Sequence, residues 1–458
     1  MGAKVYVGGG AGFADERPDA VDVLVRTLER RTGPRYVILE TLAERTLALA
    51  QLERRRDPQL GYTPQLGAFL RPILPRCKRE GIRIVCNSGA ANPRGAAQVV
   101  FDCARELSIR GLKVVVVEGD DLLGQIPEST IRSWKVIEGL PLGPEPLLAA
   151  NVYLGARPIA AALDLGADVV ITGRCTDSAL VLGPLIHEFG WAEDDWNLLA
   201  AGTLAGHLLE CSAHVSGGYF ADPGYKDVSD LARVGFPIGE IEADGSMIIT
   251  KADDTGGLVS CGTVTEQLLY EMHDPAAYVV PDVVLDVTEV ELEEVGADRI
   301  RVVGARGHRR PPTLKATISV EGGWLAEGEI TYAGPNAYAR AELAAEVLAE
   351  RLRIVGIQAP TRIDIIGTVG SFDGDSSSLR QRGRFEPDGE YRVRLAGNAS
   401  DKRMAERIAN EVIGLYSTGP AGGGGVRRGV TPRVQTRSVL LDRNLVNPSV
   451  GLVTETRQ

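Results

Sequence analysis

The chain has 458 residues, 44% of them apolar and 24% charged, an ordinary globular composition with length for about two or three domains at roughly 150 residues each. Its 50 basic side chains against 61 acidic ones give a net charge of -11, a field that repels phosphate backbones and anionic lipid, so bulk nucleic-acid binding and membrane-surface binding are not expected. There is no apolar run of about 18 residues and no leader-like N-terminus, and the six cysteines (Cys77, Cys86, Cys103, Cys175, Cys211, Cys261) contain no CxxC pair, so a cytoplasmic protein with reduced thiols is expected.

Five short apolar runs punctuate the first 190 or so residues: KVYVGG (4–9), YVILE (36–40), IRIVCN (82–87), KVVVVEG (113–119) and DVVITG (168–173). Runs that are apolar throughout suit parallel strands buried on both faces. The amphipathic stretches between them, such as 94–109 and 157–165, are long enough for helical crossovers. The expected fold is therefore α/β, with an open parallel sheet of about five strands flanked by helices.

From Asp282 the pattern changes to alternation, as in VVLDVTEVELEEV and LKATISV, which predicts half-buried antiparallel strands. One strand-turn-helix unit occurs twice, as GEITYAGPNAYARAELAAEVLAERL (328–352) and YRVRLAGNASDKRMAERIANEVIGL (391–415). Asn398 or Ser400 is placed to cap the second helix. By analogy the pair suggests a split β-α-β layer. The polar stretch 372–389 reads as a mobile loop, and 417–429 is the most glycine-dense segment. The expected division is an α/β domain over 1–280, carrying most candidate site residues, and an α+β domain over 281–458 with the Gly-rich loop.

In parallel sheets ligands bind beyond the carboxyl ends of the strands. After the first run, Gly8-Gly9-Gly10-Ala11-Gly12-Phe13 reads as a turn whose backbone N–H groups, at Gly10 and Gly12, could approach an anion. Phe13 stands where a dinucleotide fingerprint needs glycine, and no Walker lysine follows. Glu40 lies where a ribose-binding acid would be, so a nicotinamide site is the minor alternative to a plain tight turn. After the third run, Asn87, Ser88 and Asn92 form a donor-rich loop able to hold a carboxylate or thioester carbonyl, against an Asx-turn with Asn92 capping the next helix. After the fourth, Glu118, Asp120 and Asp121 could raise one another's pKa or take a divalent cation, or could be a solvated turn.

The fifth run ends in Thr172-Gly173-Arg174-Cys175-Thr176-Asp177-Ser178, an anion clamp (Arg174) with an acid-base partner (Asp177), or else an Arg174–Asp177 pair with Thr176 as a cap. Further on, His207, Cys211 and His214 fall on one helical stripe beside Glu210. Zinc suits these donors, but the spacing is not H-E-x-x-H, so catalytic His207 with Glu210 and plain structural contacts are the stronger readings, with no bound metal. Lys251 heads a glycine-hinged loop and could bind a phosphate or carboxylate, or sit on a surface loop. EQLLYEMHD (266–274) places Tyr270 and His273 about one helical turn apart.

The stretches LAERTLALAQ with DPQLGYTP, CNSGAANP, VVEGDDL, NVYLGARPIAAALDLGADVVITGRCTDSAL, AGTLAGHLLECSAHVSGGYFADPG, KADDTGGLVSCGTVTEQLLYEMHDPAAY and TGPAGGGG resemble the AtuA family, named for acyclic terpene utilisation. The resemblance runs from about Val5 to Gly425. It implies a cytosolic role in the breakdown of branched isoprenoid acids, handled as CoA thioesters beside a biotin-dependent carboxylase. The family pattern more often has Gln where this chain has His214. Some relatives carry an extra C-terminal domain, in whose place a separate small partner subunit is expected here. The leading expectation is a homo-oligomeric enzyme of the hydratase or lyase type acting on an acyl-CoA or organic acid without a cofactor. In that reading Asp177, His207 and Glu210 are the acid-base groups. The competing expectations are a non-catalytic acyl-CoA-binding scaffold or regulatory subunit, and a nicotinamide-dependent oxidoreductase.

Overall fold

Each of the five apolar runs is a strand in the computed structural model, which describes residues 4–368 and 383–455. In chain order come β1 (Val5–Ala11), α1 (Pro18–Glu29), β2 (Arg35–Leu39), α2 (Glu44–Arg56), α3 (Leu66–Glu80), β3 (Arg83–Cys86), α4 (Pro93–Glu106) and β4 (Val114–Glu118). A short helix α5 (Glu128–Ser133), β5 (Val136–Glu138) and β6 (Leu147–Val152) precede α6 (Arg157–Asp164), β7 (Val169–Thr172), α7 (Ala179–Phe189) and α8 (Trp196–Glu210). Then follow β8 (Pro237–Ile241), β9 (Met247–Lys251), α9 (Cys261–Leu269), β10 (Tyr278–Val279), β11 (Val284–Asp286), β12 (Glu291–Gly296), β13 (Arg299–Val303), β14 (Arg306–His308) and β15 (Thr313–Ala333).

The main sheet has the order β12-β13-β9-β8-β1-β2-β3-β7-β4 and ends on a last strand, Ser449–Val453. Its five central strands β1, β2, β3, β7 and β4 are parallel. Those strands are Val- and Ile-rich because both faces are covered. Val37, Leu39, Ile84, Cys86, Val116, Val169 and Ile171 join α1, α3 and α4 in one core. The alternate residues Ile38, Val85, Val115 and Val170 are equally buried and point to the opposite face by the two-residue period of a strand. The register sets Leu39 beside Cys86, Cys86 beside Ile171, and Thr172 beside Val117. The segments after all five strands therefore leave the sheet at one edge.

The chain divides into two compact units, one of residues 1–319 with 436–458 and one of 320–435. This differs from the division expected near residue 280. The alternating strands after Asp282 do not start a new unit: β13 extends the main sheet by pairing with β9, and Ser449–Val453 pairs with β4. An antiparallel strand can join an edge of a parallel sheet, so a change of hydrophobic pattern need not mark a change of domain.

The smaller unit holds the repeated element as expected. β15 leads to a helix, Ala337–Ile354, and the strand Glu390–Ala399 leads to a helix, Lys402–Thr418. Ala326, Ile330, Tyr332, Leu348, Val393, Leu395, Ile408 and Val412 form its core. The second helix is capped by Asp401, whose carboxylate accepts the Met404 N–H at 2.9 Å, rather than by Asn398 or Ser400. Most of the segment read as a mobile loop, 372–382, lies outside the described residues.

Candidate functional site

The carboxyl edge of the parallel strands opens into a cleft of about 1280 Å³, and all the residues lining it belong to the larger unit. Its polar lining comes from the segments after β2 (Glu40, Glu44), β6 (Tyr153) and β7 (Arg174, Thr176, Asp177), from the end of α8 (Glu210, Cys211, His214), and from the segment after α9 (Tyr270, Glu271, His273, Tyr278), with Lys315 of β15. Sequence-distant carboxyls thus face one space.

Arg174 is buried, with 1% of its surface exposed. Its backbone N–H donates to Asp120 at 2.9 Å, and its Nε donates to the Cys175 carbonyl at 2.7 Å. Its two Nη groups donate to the Leu42 carbonyl and to Asp177. The guanidinium lies 4.6 Å from the Tyr153 ring centroid, a cation–π contact strengthened by exclusion of water. The anion clamp expected of Arg174 is thus no free fork: the guanidinium locks the Leu42 and Asp177 segments together and lends the cleft a fixed positive charge. Thr176 does not cap α7; the residue before that helix is Ser178, which makes no side-chain cap bond. The Tyr153 hydroxyl donates to Glu44, and Lys315 Nζ lies 3.4 Å from the same carboxylate. Burial works against ionisation of Glu44, but these partners outweigh it and hold its carboxyl below the usual range.

Glu40 and Glu210 behave in the opposite way. Glu40 is 8% exposed; burial first, and then the nearby Asp177 charge, push its carboxyl up to about 8, although Arg174, Asn87 and the Leu42 N–H pull the other way. Burial likewise raises Glu210 to about 7, against the opposing hydrogen bond and charge of His207. Asp177 is raised by burial too, despite its guanidinium partner. About a third of its side chain still opens to the cleft.

His207 is itself enclosed at 1% exposure. Its Nε2 lies 3.1 Å from the Leu268 carbonyl and so must carry a proton, while Nδ1 lies 3.2 Å from Glu210. One proton can therefore be shared between Nδ1 and the carboxyl. Only Glu210 of the pair lines the cleft. His207 stands behind it.

The zinc stripe does not form, because α8 ends at Glu210 and His214 lies in the tight turn Ser212–Ser216, packed between Tyr219 and Tyr270. Among the described residues no three His, Cys, Asp or Glu side chains are placed to hold a metal ion. The carboxylate turn separates as well: Glu118 pairs with Arg94, Asp120 holds Arg174 and Asn151, and Asp121 faces Gln51 and Arg54.

Of the expected substrate-binding residues, Gly12 and Arg174 line the cleft and the others do not. Gly10 is inside β1, not in a turn after it. The glycine run serves close packing: a Cβ on Gly9 would lie 2.5 Å from the Leu209 carbonyl, and one on Gly12 would lie 2.6 Å from the Cys211 backbone. Asn87 and Ser88 are fully buried behind Glu40. The Asn87 amide donates to Glu40 at 2.8 Å and accepts the Thr41 N–H at 2.8 Å, and Ser88 bonds the Thr41 hydroxyl at 3.0 Å. Asn92 caps α4 by accepting the Gly95 N–H at 3.0 Å. Lys251 is satisfied away from the cleft by the Thr255 carbonyl at 2.9 Å and Asp298 at 3.4 Å.

Sequence reasoning read Glu40 only as a ribose acid and passed over Glu44, Tyr153, Glu271, Tyr278 and Lys315. All but Lys315 stand inside stretches that carry the family resemblance, but no spacing marks them as a group: Glu44 opens α2, Tyr153 follows β6, Glu271 follows α9, Tyr278 is in β10 and Lys315 is in β15. Glu271 carries the one local signal, a left-handed backbone with φ of +54°, but that conformation is legible only in three dimensions.

A family model described as "Acyclic terpene utilisation family protein AtuA" matches residues 5–452. No curated protein matches the chain.

Proposed function

The chain belongs to the acyclic terpene utilisation family AtuA, and from that membership together with the cleft we propose that it is an enzyme of branched isoprenoid acid breakdown. It would act in the cytoplasm on an acyl-CoA thioester or organic acid by proton transfer of the hydratase or lyase type. The observation that carries this reading is the Glu210–His207 pair: a carboxyl raised to about 7, facing the cleft, with a buried imidazole behind it able to share its proton. A group that titrates near neutrality can both take and give a proton at the working pH. Glu210 is the acid-base group in this reading, and His207 positions it. Asp177, fixed by Arg174, supplies a negative edge to the same space, and Arg174 with Lys315 offsets charge that develops on a carbonyl.

The lining favours the reacting acyl end of the substrate over its polyphosphate end. Acidic side chains outnumber the cations in the lining, and the Arg174 fork is already committed to Leu42, Cys175 and Asp177. The nucleotide of a CoA ester would therefore remain outside. The glycines expected to cradle a dinucleotide lie within β1 or against Cys211, which leaves the nicotinamide reading without an observation in its favour.

The test is incubation of the purified chain in deuterated water with branched 3-methyl-2-enoyl-CoA thioesters and their hydrated forms. Incorporation at C2 and interconversion, both lost in Glu210→Gln, are expected. Tight thioester binding without exchange or turnover would replace the enzyme by the acyl-CoA-binding scaffold.

A further inference from the structure

The Glu40 carboxyl is held asymmetrically. Its Oε1 accepts two N–H groups, one from the Asn87 amide and one from the Leu42 backbone, each at 2.8 Å. Two donors occupy the acceptor positions of that oxygen. Among the described residues no donor reaches Oε2, and the residue lines the cleft while being 8% exposed. A proton on this carboxyl must therefore sit on Oε2, the oxygen left to the cleft. Behind it, Asn87 is itself fixed by the Thr41 N–H at 2.8 Å, and Thr41 by the hydroxyls of Thr63 and Ser88, both at 3.0 Å. Such a buried hydrogen-bonded chain sets the orientation of the acid before any substrate arrives.

We propose that Glu40 is a second catalytic residue of the cleft, a general acid that delivers its proton from Oε2, and that Asn87 is the residue that positions it. This rests on the reading of the cleft as an active site for acyl-thioester proton transfer. In hydration, water bonds C3 of the enoyl group and loses a proton to the Glu210 carboxylate, while the electron pair of the double bond takes the Glu40 proton at C2. Glu40 ends as carboxylate and Glu210 as acid, and exchange with solvent restores both. Dehydration runs the same transfers backwards. The titratable and charged groups facing Glu40 are Arg174, Cys175 and Asp177 after β7 and Cys211 at the end of α8. Burial and Asp177 keep the acid protonated up to about pH 8, so the role is available at neutrality.

Glu40→Gln tests the assignment with little threat to the fold, because an amide oxygen accepts the same two N–H groups. With the branched enoyl-CoA thioesters as probes, the variant should lose about 10²- to 10⁴-fold in kcat with KM little changed. The wild-type kcat/KM should fall as pH rises through about 8. Asn87→Asp replaces a donor by a second acid, so that alkaline limb should move to higher pH, a shift that a merely structural role would not produce. The infrared absorption of un-ionised carboxylic acid at pH 7 should accompany these results by being weaker in Glu40→Gln than in the wild type, with Glu210 supplying part of what remains. If wild type turns the probes over and Glu40→Gln keeps both the rate and the alkaline limb, Glu40 is not the acid, although the cleft still is the site. If wild type turns over none of the probes, the reading of the cleft fails and this assignment with it.

Discussion

The buried Glu40 carboxyl makes the stability of the protein depend on pH in a direction opposite to that of ordinary surface acids. In the unfolded chain a glutamate titrates near 4.5, and in the folded protein this one titrates at about 8. Between those values the folded state holds a proton that the unfolded state has released. The stabilisation is complete below about pH 4.5 and is lost as pH rises through about 8. At roughly 1.4 kcal/mol for each pH unit of that window, Glu40 alone accounts for several kcal/mol. Glu210, raised to about 7, and Asp120, raised to about 6 by burial, act in the same direction over narrower windows. Glutamine keeps the acceptor for Asn87 and Leu42 and cannot ionise. At or below pH 4.5 Glu40→Gln should therefore match the wild type to within about 1 kcal/mol, at pH 6 it should be more stable by about 2 kcal/mol, and at pH 9 by about 5 kcal/mol. Urea unfolding followed by tryptophan fluorescence measures this, since Trp134, Trp191 and Trp196 report the larger unit. Equal slopes of stability against pH in the two proteins would refute the argument that Glu40 is buried and protonated at neutrality.

Arg174→Lys keeps the charge but cannot make the guanidinium's separate bonds to Leu42, Cys175 and Asp177, so it should cost about 2–4 kcal/mol; an unchanged melting temperature would show that the interlock is not there. Gly9→Ala places a Cβ 2.5 Å from the Leu209 carbonyl and should cost about 1–3 kcal/mol by forcing α8 away from β1, which thermal melting would detect. Asn92→Ala should lose about 1 kcal/mol through its helix cap and leave thioester turnover alone; reduced turnover at unchanged stability would return Asn92 to the substrate.

The parallel strands were legible because burial on both faces leaves uninterrupted runs such as KVVVVEG, and because the strand-end rule then names one edge of the sheet without a structure. Arg174 and Asp177, which line the cleft, were singled out by that route, and Glu210 by its place beside His207 on a helix. The same logic set Asn87 and Ser88 in the cleft, which they do not line, and Lys251, read from its charged glycine-hinged loop, does not line it either. A polar residue beyond a strand turns either to the cleft or to its neighbours, and composition does not distinguish the two. Asn92 could be read as a helix cap from its position before Pro93, and it is one.

By itself the sequence determined the α/β class, the repeated strand-helix unit and membership of the family, since each depends on periodicity or on motifs contiguous in the chain. The tertiary structure alone decided where the units divide, because strand pairing joins β13 to β9 and Ser449–Val453 to β4 across long separations. It also decided which acids hold protons. Glu40, Glu44 and Glu210 are the same residue type, yet one is raised to about 8, one lowered and one raised to about 7. Their pKa values depend on burial and on the sign of the nearest charges, and both are set by side chains that meet only when the chain has folded.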